Sequence, residues 1–224
     1  MRGSLALYRS LGRGEVDFSL LSSTLQKLGY AAPAKKIHDL KKAGVLIGVK
    51  KGLYVFSPDH APEPFRKETL ANLIYGPSCV SLESALSFYG LIPERVETIT
   101  SVTPKRDKSF ETPVGGFTYR YLSLEKYSEG IDVVWMDPQH PVLMATPEKA
   151  LADYIVLNKV RSIKTAEDAR VFLEQDLRID PDNWKRFDAV KLRALGRRCK
   201  SRAVERAADF LEGAVKSEVS KKKE

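Results

Sequence analysis

Cysteine is nearly absent: Cys79 and Cys199 are the only two in 224 residues. That is too few for a disulfide scaffold or for a zinc cluster built from one chain. Histidine is scarce as well. His38, His60 and His140 fall in three unrelated contexts, the last two near prolines, and read as loop histidines with no metal site among them. Long hydrophobic runs are missing. Apolar stretches such as residues 45–47 and 53–56 fall far short of the roughly 20 residues a membrane helix needs. Residues 1–13 alternate small, polar and basic side chains and lack the apolar block of a signal peptide, so a soluble, cytoplasmic protein is expected. There is no glycine-rich phosphate loop, no Gly-x-Ser-x-Gly and no His-Glu-x-x-His, and hence no expected catalytic residue, metal or cofactor.

Charge is what the chain does have, and it is unevenly spread. The net formal charge is +8, made of about +7 over residues 1–58, −5 over 59–180 and +6 over 181–224. Two basic ends flank an acidic middle, a pattern suited to a polyanion-binding head on a body of different character. The border coincides with Pro58, Pro62 and Pro64, a density of proline that resists helix and central strand. We therefore expect a head over 1–58, a linker over 59–64, a body over 65–215 and a flexible basic tail over 216–224.

The head reads as helix, helix, helix, hairpin. Residues 4–11 form a short helix closed by Gly12. In residues 18–28 the apolar positions Phe18, Leu21, Leu25 and Leu28 share one helical face, and Gly29 ends the helix. Pro33 sits in the first turn of the next, which runs to Ala43 with Gly44 beyond it. Ala32 is a poor N-cap, having no side-chain acceptor. Strands over 45–49 and 53–56 flank the turn Lys50-Lys51-Gly52. Two tightly joined helices followed by a hairpin describe a winged helix-turn-helix, whose second helix enters a major groove. On that helix Ile37 and Leu40 point inward, while Lys35, His38, Asp39 and Lys42 point outward with Lys36 and Lys41 on the flanks. The expected DNA-contacting set is Lys35, Lys36, His38, Lys41, Lys42, Lys50 and Lys51, with the last two at a wing tip meeting phosphates or the minor groove. The plain alternative is a solvated basic face, or a winged helix used for protein contacts.

The body reads as mixed α+β. Helices are expected over 64–75, 81–89 (Ser81 and Ser84 as caps), 147–160 (Thr146 as N-cap, Pro147 at N1), 165–173 and 190–215, the last as one long helix or a broken pair. Strands are expected over 96–102, 116–122 and 131–136, with a polar hairpin or loop over 105–113. Arg193, Arg197, Arg198, Lys200 and Arg202 in the last helical stretch offer a second basic surface, or merely the solvated face of a docking helix. Two rivals to DNA-binding regulation are a metal-dependent nuclease with a winged-helix targeting head and a protein-interaction module. A nuclease wants an Asp followed by an acidic-x-Lys triplet on strands. Asp132 is a conceivable ligand, but no such triplet follows, and Glu148-Lys149 has no intervening residue.

Several segments resemble the AbiEi family of bacterial antitoxins. In the head these are Leu40-x-x-Ala43-Gly44-x-Leu46 and Gly52-x-Tyr54. In the body they are the run from Tyr75 to Leu91, Thr100-Ser101-Val102-Thr103 with Phe110, Thr112-Pro113 and Gly116-Phe117, and the run from Ala145 to Asp153, which is similar to the family's Pro-Glu-Lys-x-Leu-x-Asp helix start. Together they span about residues 40–155. The resemblance implies the antitoxin of a type IV toxin–antitoxin pair. Its head would bind double-stranded DNA at promoter inverted repeats and repress. Its body would counter a nucleotidyltransferase toxin without a stable complex.

Overall fold

The computed structural model describes residues 2–221, with side chains over 5–216. The chain is a mixed α+β protein. It begins α1 (Arg2–Leu11), β1 (Glu15–Asp17), α2 (Phe18–Lys27), α3 (Pro33–Lys42), β2 (Leu46–Lys50) and β3 (Leu53–Phe56). These strands form an antiparallel sheet in the order β1-β3-β2, with Glu15 opposite Val55 and Leu46 opposite Phe56. Strand β1 went unseen in the sequence because three residues show no periodicity. Both helix ends marked by glycine close in the same way. Gly29 N–H donates to Gln26 O and Tyr30 N–H to Leu25 O, while Gly44 N–H donates to Lys41 O and Val45 N–H to Leu40 O. These are Schellman closures, and Gly44 takes the required positive φ of 70°.

Past a 3-10 turn (Pro58–His60) come α4 (Lys67–Ile74), β4 (Cys79–Val80), α5 (Leu82–Phe88), β5 (Ile99–Thr103), β6 (Lys108–Thr112), β7 (Gly115–Tyr121), α6 (Leu124–Tyr127), β8 (Ile131–Trp135) and β9 (Pro141–Ala145). The six strands lie in the order β6-β7-β5-β4-β9-β8. Pairs β5–β7 and β4–β9 are parallel and the rest antiparallel. Helices α7 (Pro147–Leu157), α8 (Ala166–Val171), α9 (Ala189–Cys199) and α10 (Arg202–Lys221) follow. The stretch 190–215 is a broken pair: Lys200 turns left-handed at φ 53°, and Gly196 lets α10 approach, since a Cβ there would lie 2.9 Å from Glu205 Cγ. The tail expected to fray from 216 is helical to Lys221, because α10 continues through it; 222–224 lie outside the described residues. Among the described residues no helix is long and apolar enough to cross a membrane.

The border expected at 58 is a packed seam. Strand β3 alternates between two cores, as a strand's period of two requires. Phe56, with Tyr54 partly buried beside it, packs with Leu7, Leu21, Leu25, Ile37 and Leu40 in the head core. Leu53 and Val55, with Val49 of β2, pack in the body core among Leu70, Ile74 and Phe117. Each such side chain contributes about 1.5–3 kcal/mol by leaving water. Residues 59–64 are pinned as well, by Ser57 Oγ to His60 Nδ1 (2.9 Å) and Tyr8 OH to Glu63 O (3.5 Å).

A polar clasp locks the same seam. Glu15 of β1 is 2% exposed; it accepts from Arg66 N–H (2.6 Å) and its Oε2 lies 2.9 Å from His140 Nε2. His140, expected as a loop histidine, is 1% exposed, and its Nδ1 lies 2.6 Å from Asp137 Oδ1. Asp137 also accepts from Arg66 Nε (3.2 Å). With a carboxylate at each ring nitrogen, the contacts are fully satisfied when the ring carries both protons or one carboxyl carries one. Burial by itself raises the Asp137 carboxyl. The hydrogen bonds from His140, Gln139 N–H and Arg66 outweigh it and hold the group below its ordinary 3.8.

Candidate nucleic-acid interface

Helix α3 presents the basic face. Pro33 starts it, Ala32 gives no side-chain cap, and Lys36 N–H donates to Ala32 O (3.1 Å). Ile37 and Leu40 are buried; Lys35, His38, Asp39, Lys41 and Lys42 are exposed and Lys36 is half-buried. The two flanking lysines lie over aromatic rings, Lys36 Nζ at 5.0 Å from the Tyr30 centroid and Lys41 Nζ at 5.9 Å from that of Tyr54. Such cation–π contacts keep the charge while restricting the stem. Among the described residues none of Lys35, Lys36, His38, Lys41, Lys42, Lys50 or Lys51 takes part in an ion pair.

At the hairpin, Gly52 at φ 80° makes the turn, and its carbonyl accepts from Phe18 N–H (2.8 Å). Lys51 is exposed there. Lys50, expected beside it as a free tip lysine, is instead turned onto the body. Its Nζ donates to Ile74 O (2.7 Å) at the end of α4 and lies 5.9 Å from the Phe110 centroid. The physical reason is the shared core: with Val49 and Leu53 buried in the body, the turn between them is drawn against it.

The second basic set divides. Arg193 donates to Asp209 Oδ1 (3.0 Å) and Glu212 Oε2 (2.7 Å) on α10, and these partners raise its pKa. Arg198 donates to Glu125 O (3.1 Å) and pairs with Glu129. Only Arg197, Lys200 and Arg202 of that set are without an ion pair among the described residues. Carboxylates elsewhere in the fold consume two of the five charges.

Chemistry elsewhere is quiet. Asp132 on β8 is exposed, and its carboxylate accepts from Val133 N–H (2.8 Å). Among the described residues no three of His, Cys, Asp or Glu gather as a metal-holding group. Both cysteines are buried, and burial pushes the Cys79 thiol well above its ordinary value. A cleft of about 730 Å³ lies beside α4 and β7, lined by Arg66, Lys67 and Arg95 against Glu68, Glu97 and Glu111; its charges cancel and attract no polyanion.

Sequence reasoning missed one buried constellation. Lys149 and Asp153 on α7 are 0% and 1% exposed and paired at 3.1 Å. Lys149 Nζ also donates to Lys126 O (3.1 Å), and Ser81 Oγ donates to Asp153 Oδ2 (2.7 Å), so Ser81 bonds into the core instead of capping α5. Burial raises the Asp153 carboxyl, and the bonds from Lys149 and Ser81 oppose that. Gly130 makes room for the lysine stem: a Cβ there would sit 2.8 Å from Lys149 Cβ. The signal in the sequence was a Lys and an Asp four apart in a helix whose one other charged residue is Glu148 in the first turn. Every polar atom of this group faces another protein group, which makes it a structural element.

No family model matches the chain, and no curated protein does. Among solved structures it is similar to the crystal structure of the RV2827C protein from Mycobacterium tuberculosis, with a TM-score of 0.61 and 15% identity over 95% of this chain and 76% of that one. At that identity the likeness concerns the fold alone.

Proposed function

We propose that the chain is a DNA-binding transcriptional repressor of the AbiEi antitoxin type, with a winged helix-turn-helix head. The order of α2, α3 and the β2–β3 hairpin supports the winged-helix reading, with α3 as the helix that enters the major groove. The observation that carries the function is the α3 face, where Lys35, Lys36, Lys41 and Lys42 stand without carboxylate partners among the described residues. Charges so placed are available to phosphates, and each phosphate neutralised releases counterions. In this reading the head binds inverted repeats in a promoter, and the body counters a nucleotidyltransferase toxin without a stable complex.

The test is fluorescence anisotropy of the full chain on DNA from upstream of its own reading frame. Lys35→Ala, Lys36→Ala and Lys42→Ala together should lower affinity near 0.1 M salt by up to about tenfold for each lysine that meets a phosphate, at an unchanged melting temperature. Undiminished affinity in the folded triple variant removes α3 from the interface. The antitoxin half is tested with the same variant and not with a fragment, since Val49, Leu53 and Val55 belong to the body core. Co-expressed with a nucleotidyltransferase-like toxin from a neighbouring reading frame, the triple variant should still restore growth while losing repression. Loss of rescue along with repression would make DNA binding the source of protection.

A further inference from the structure

The body is acidic as a whole, yet one corner of it is not. Lys105, Arg106 and Lys108 cluster where the loop after β5 enters edge strand β6, and Lys50 of the hairpin reaches the same corner from across the seam. Lys108 Nζ lies 5.3 Å from the Phe110 centroid and 5.8 Å from that of Tyr75; Lys105 Nζ lies 5.4 Å from Tyr75 and donates to Gly76 O. Lys50 Nζ reaches the same Phe110 ring from the head side. Two half-buried rings therefore carry three ammonium groups.

The platform is rigid. Tyr75 and Phe110 both pack edge-on against Tyr119, at 5.2 and 5.8 Å. Tyr119 is fully buried, and its hydroxyl donates to Ala71 O (2.7 Å). Lys108 sits directly opposite Tyr119 in the β6–β7 register, which places it and Phe110 on one face of the strand. The neighbouring carboxylate, Asp107, is occupied by Tyr121 N–H. None of Lys105, Arg106 or Lys108 is in an ion pair among the described residues, while Lys50, held by Ile74 O, braces the Phe110 ring from the head side.

We propose that this strip is a second phosphate-binding surface, on which the backbone of the duplex held by α3 continues past the hairpin onto the body. The inference rests on the DNA-binding reading of the head. The partner is a duplex backbone and not unstacked bases, because ammonium groups already lie over the ring faces on which bases would stack. Lysines steadied over aromatic rings lose less freedom when they meet a phosphate, so the platform strengthens the contact without adding sequence preference.

The experiment measures affinity against salt for the full chain on a 24-base-pair mixed-sequence duplex. The variant Lys105→Ala, Arg106→Ala, Lys108→Ala should lower the slope of log affinity against log salt by roughly 2–3, and Lys108→Gln alone by about 0.9. Lys105→Arg with Lys108→Arg should keep the slope. Melting curves establish that each variant is folded, and Lys108→Gln, which leaves the Gly76 contact intact, serves where the triple variant does not fold. The head triple at Lys35, Lys36 and Lys42 is measured alongside. If the head triple loses slope and the strip variants do not, the strip inference is overturned and the head reading stands. If neither loses slope, both fall. If the strip triple keeps its DNA slope but no longer captures poly-glutamate, the strip belongs to an acidic protein partner and the inference is overturned.

Discussion

The head and the helical tail carry nearly equal formal charge, about +7 over residues 1–58 and +6 over 181–224, but their cations are held in opposite ways. On α3 the ammonium groups face solvent or lie over Tyr30 and Tyr54, with no carboxylate taking them up among the described residues. On α9 the guanidinium of Arg193 is shared between Asp209 and Glu212, and that of Arg198 is paired with Glu129. Charge along a sequence thus counts cations without telling which are spent within the fold. Only unspent ones release counterions from a polyanion. Spent ones act on stability, by an amount set mainly by how dry the pair is.

The driest pair gives the largest expected effect. Lys149→Met keeps most of the stem but leaves Asp153 as a carboxylate without its cation in the core. It should destabilise the protein by about 3–5 kcal/mol, the usual cost of breaking a buried pair from one side. Replacing both, as Lys149→Met with Asp153→Leu, should recover part of the loss, read from urea midpoints. A single variant as stable as the wild type would mean that Lys149 is not spent at all.

How much of this was legible in the sequence follows from distance along the chain. Helix ends at Gly29 and Gly44 and the Thr146–Pro147 start of α7 depend on neighbours a few residues away, and the structure places them as read. Strand β4 has two residues and β9 opens on a proline, and neither was read as a strand; β4 gains its identity from pairing with β5, and β9 from pairing with β8. The same rule governs the basic residues. The outward face of α3 follows from helical period alone. The fate of Lys50 depends on Ile74, 24 positions on, and that of Arg193 on carboxylates 16 and 19 positions on in another helix. His140 was misread for the same reason, since its partner Glu15 is 125 positions away.

Adjacent Lys50 and Lys51 place the whole contrast in one turn. Lys50 is also exposed, but Lys50→Ala removes a donor from Ile74 O and should cost about 0.5–1.5 kcal/mol of stability. Lys51→Ala should leave stability within about 0.5 kcal/mol, as exposed substitutions do, while lowering the salt slope of DNA binding by about 0.9. Equal melting temperatures for the two variants would place Lys50 back among the unspent charges.

Arg193→Ala should cost about 1 kcal/mol, because its partners on α10 are more than a third exposed and water screens the pair. Its DNA affinity and salt slope should match the wild type. A slope reduced by about 0.9 would mean that DNA competes successfully with Asp209 and Glu212 for the guanidinium.

Asp137 stands between the two extremes, 23% exposed and bonded to Arg66 at the seam between head and body, and it gives the smallest expected effect. The Asp137 carboxyl is held below 3.8 in the folded protein, where burial is outweighed by His140, Gln139 N–H and Arg66. A depressed carboxyl binds its proton less readily folded than unfolded, so it stabilises the fold in full above the unfolded value of 3.8. That contribution drains away as pH falls below 3.8 through the folded value. Asp137→Asn keeps the shape and removes the titration. The wild type should therefore be the more stable of the two at neutral pH, and the gap in urea midpoint should stay constant down to about pH 5 and then close as the medium is acidified further. A gap that does not change with pH would leave Asp137 as a spacer whose charge the seam does not use.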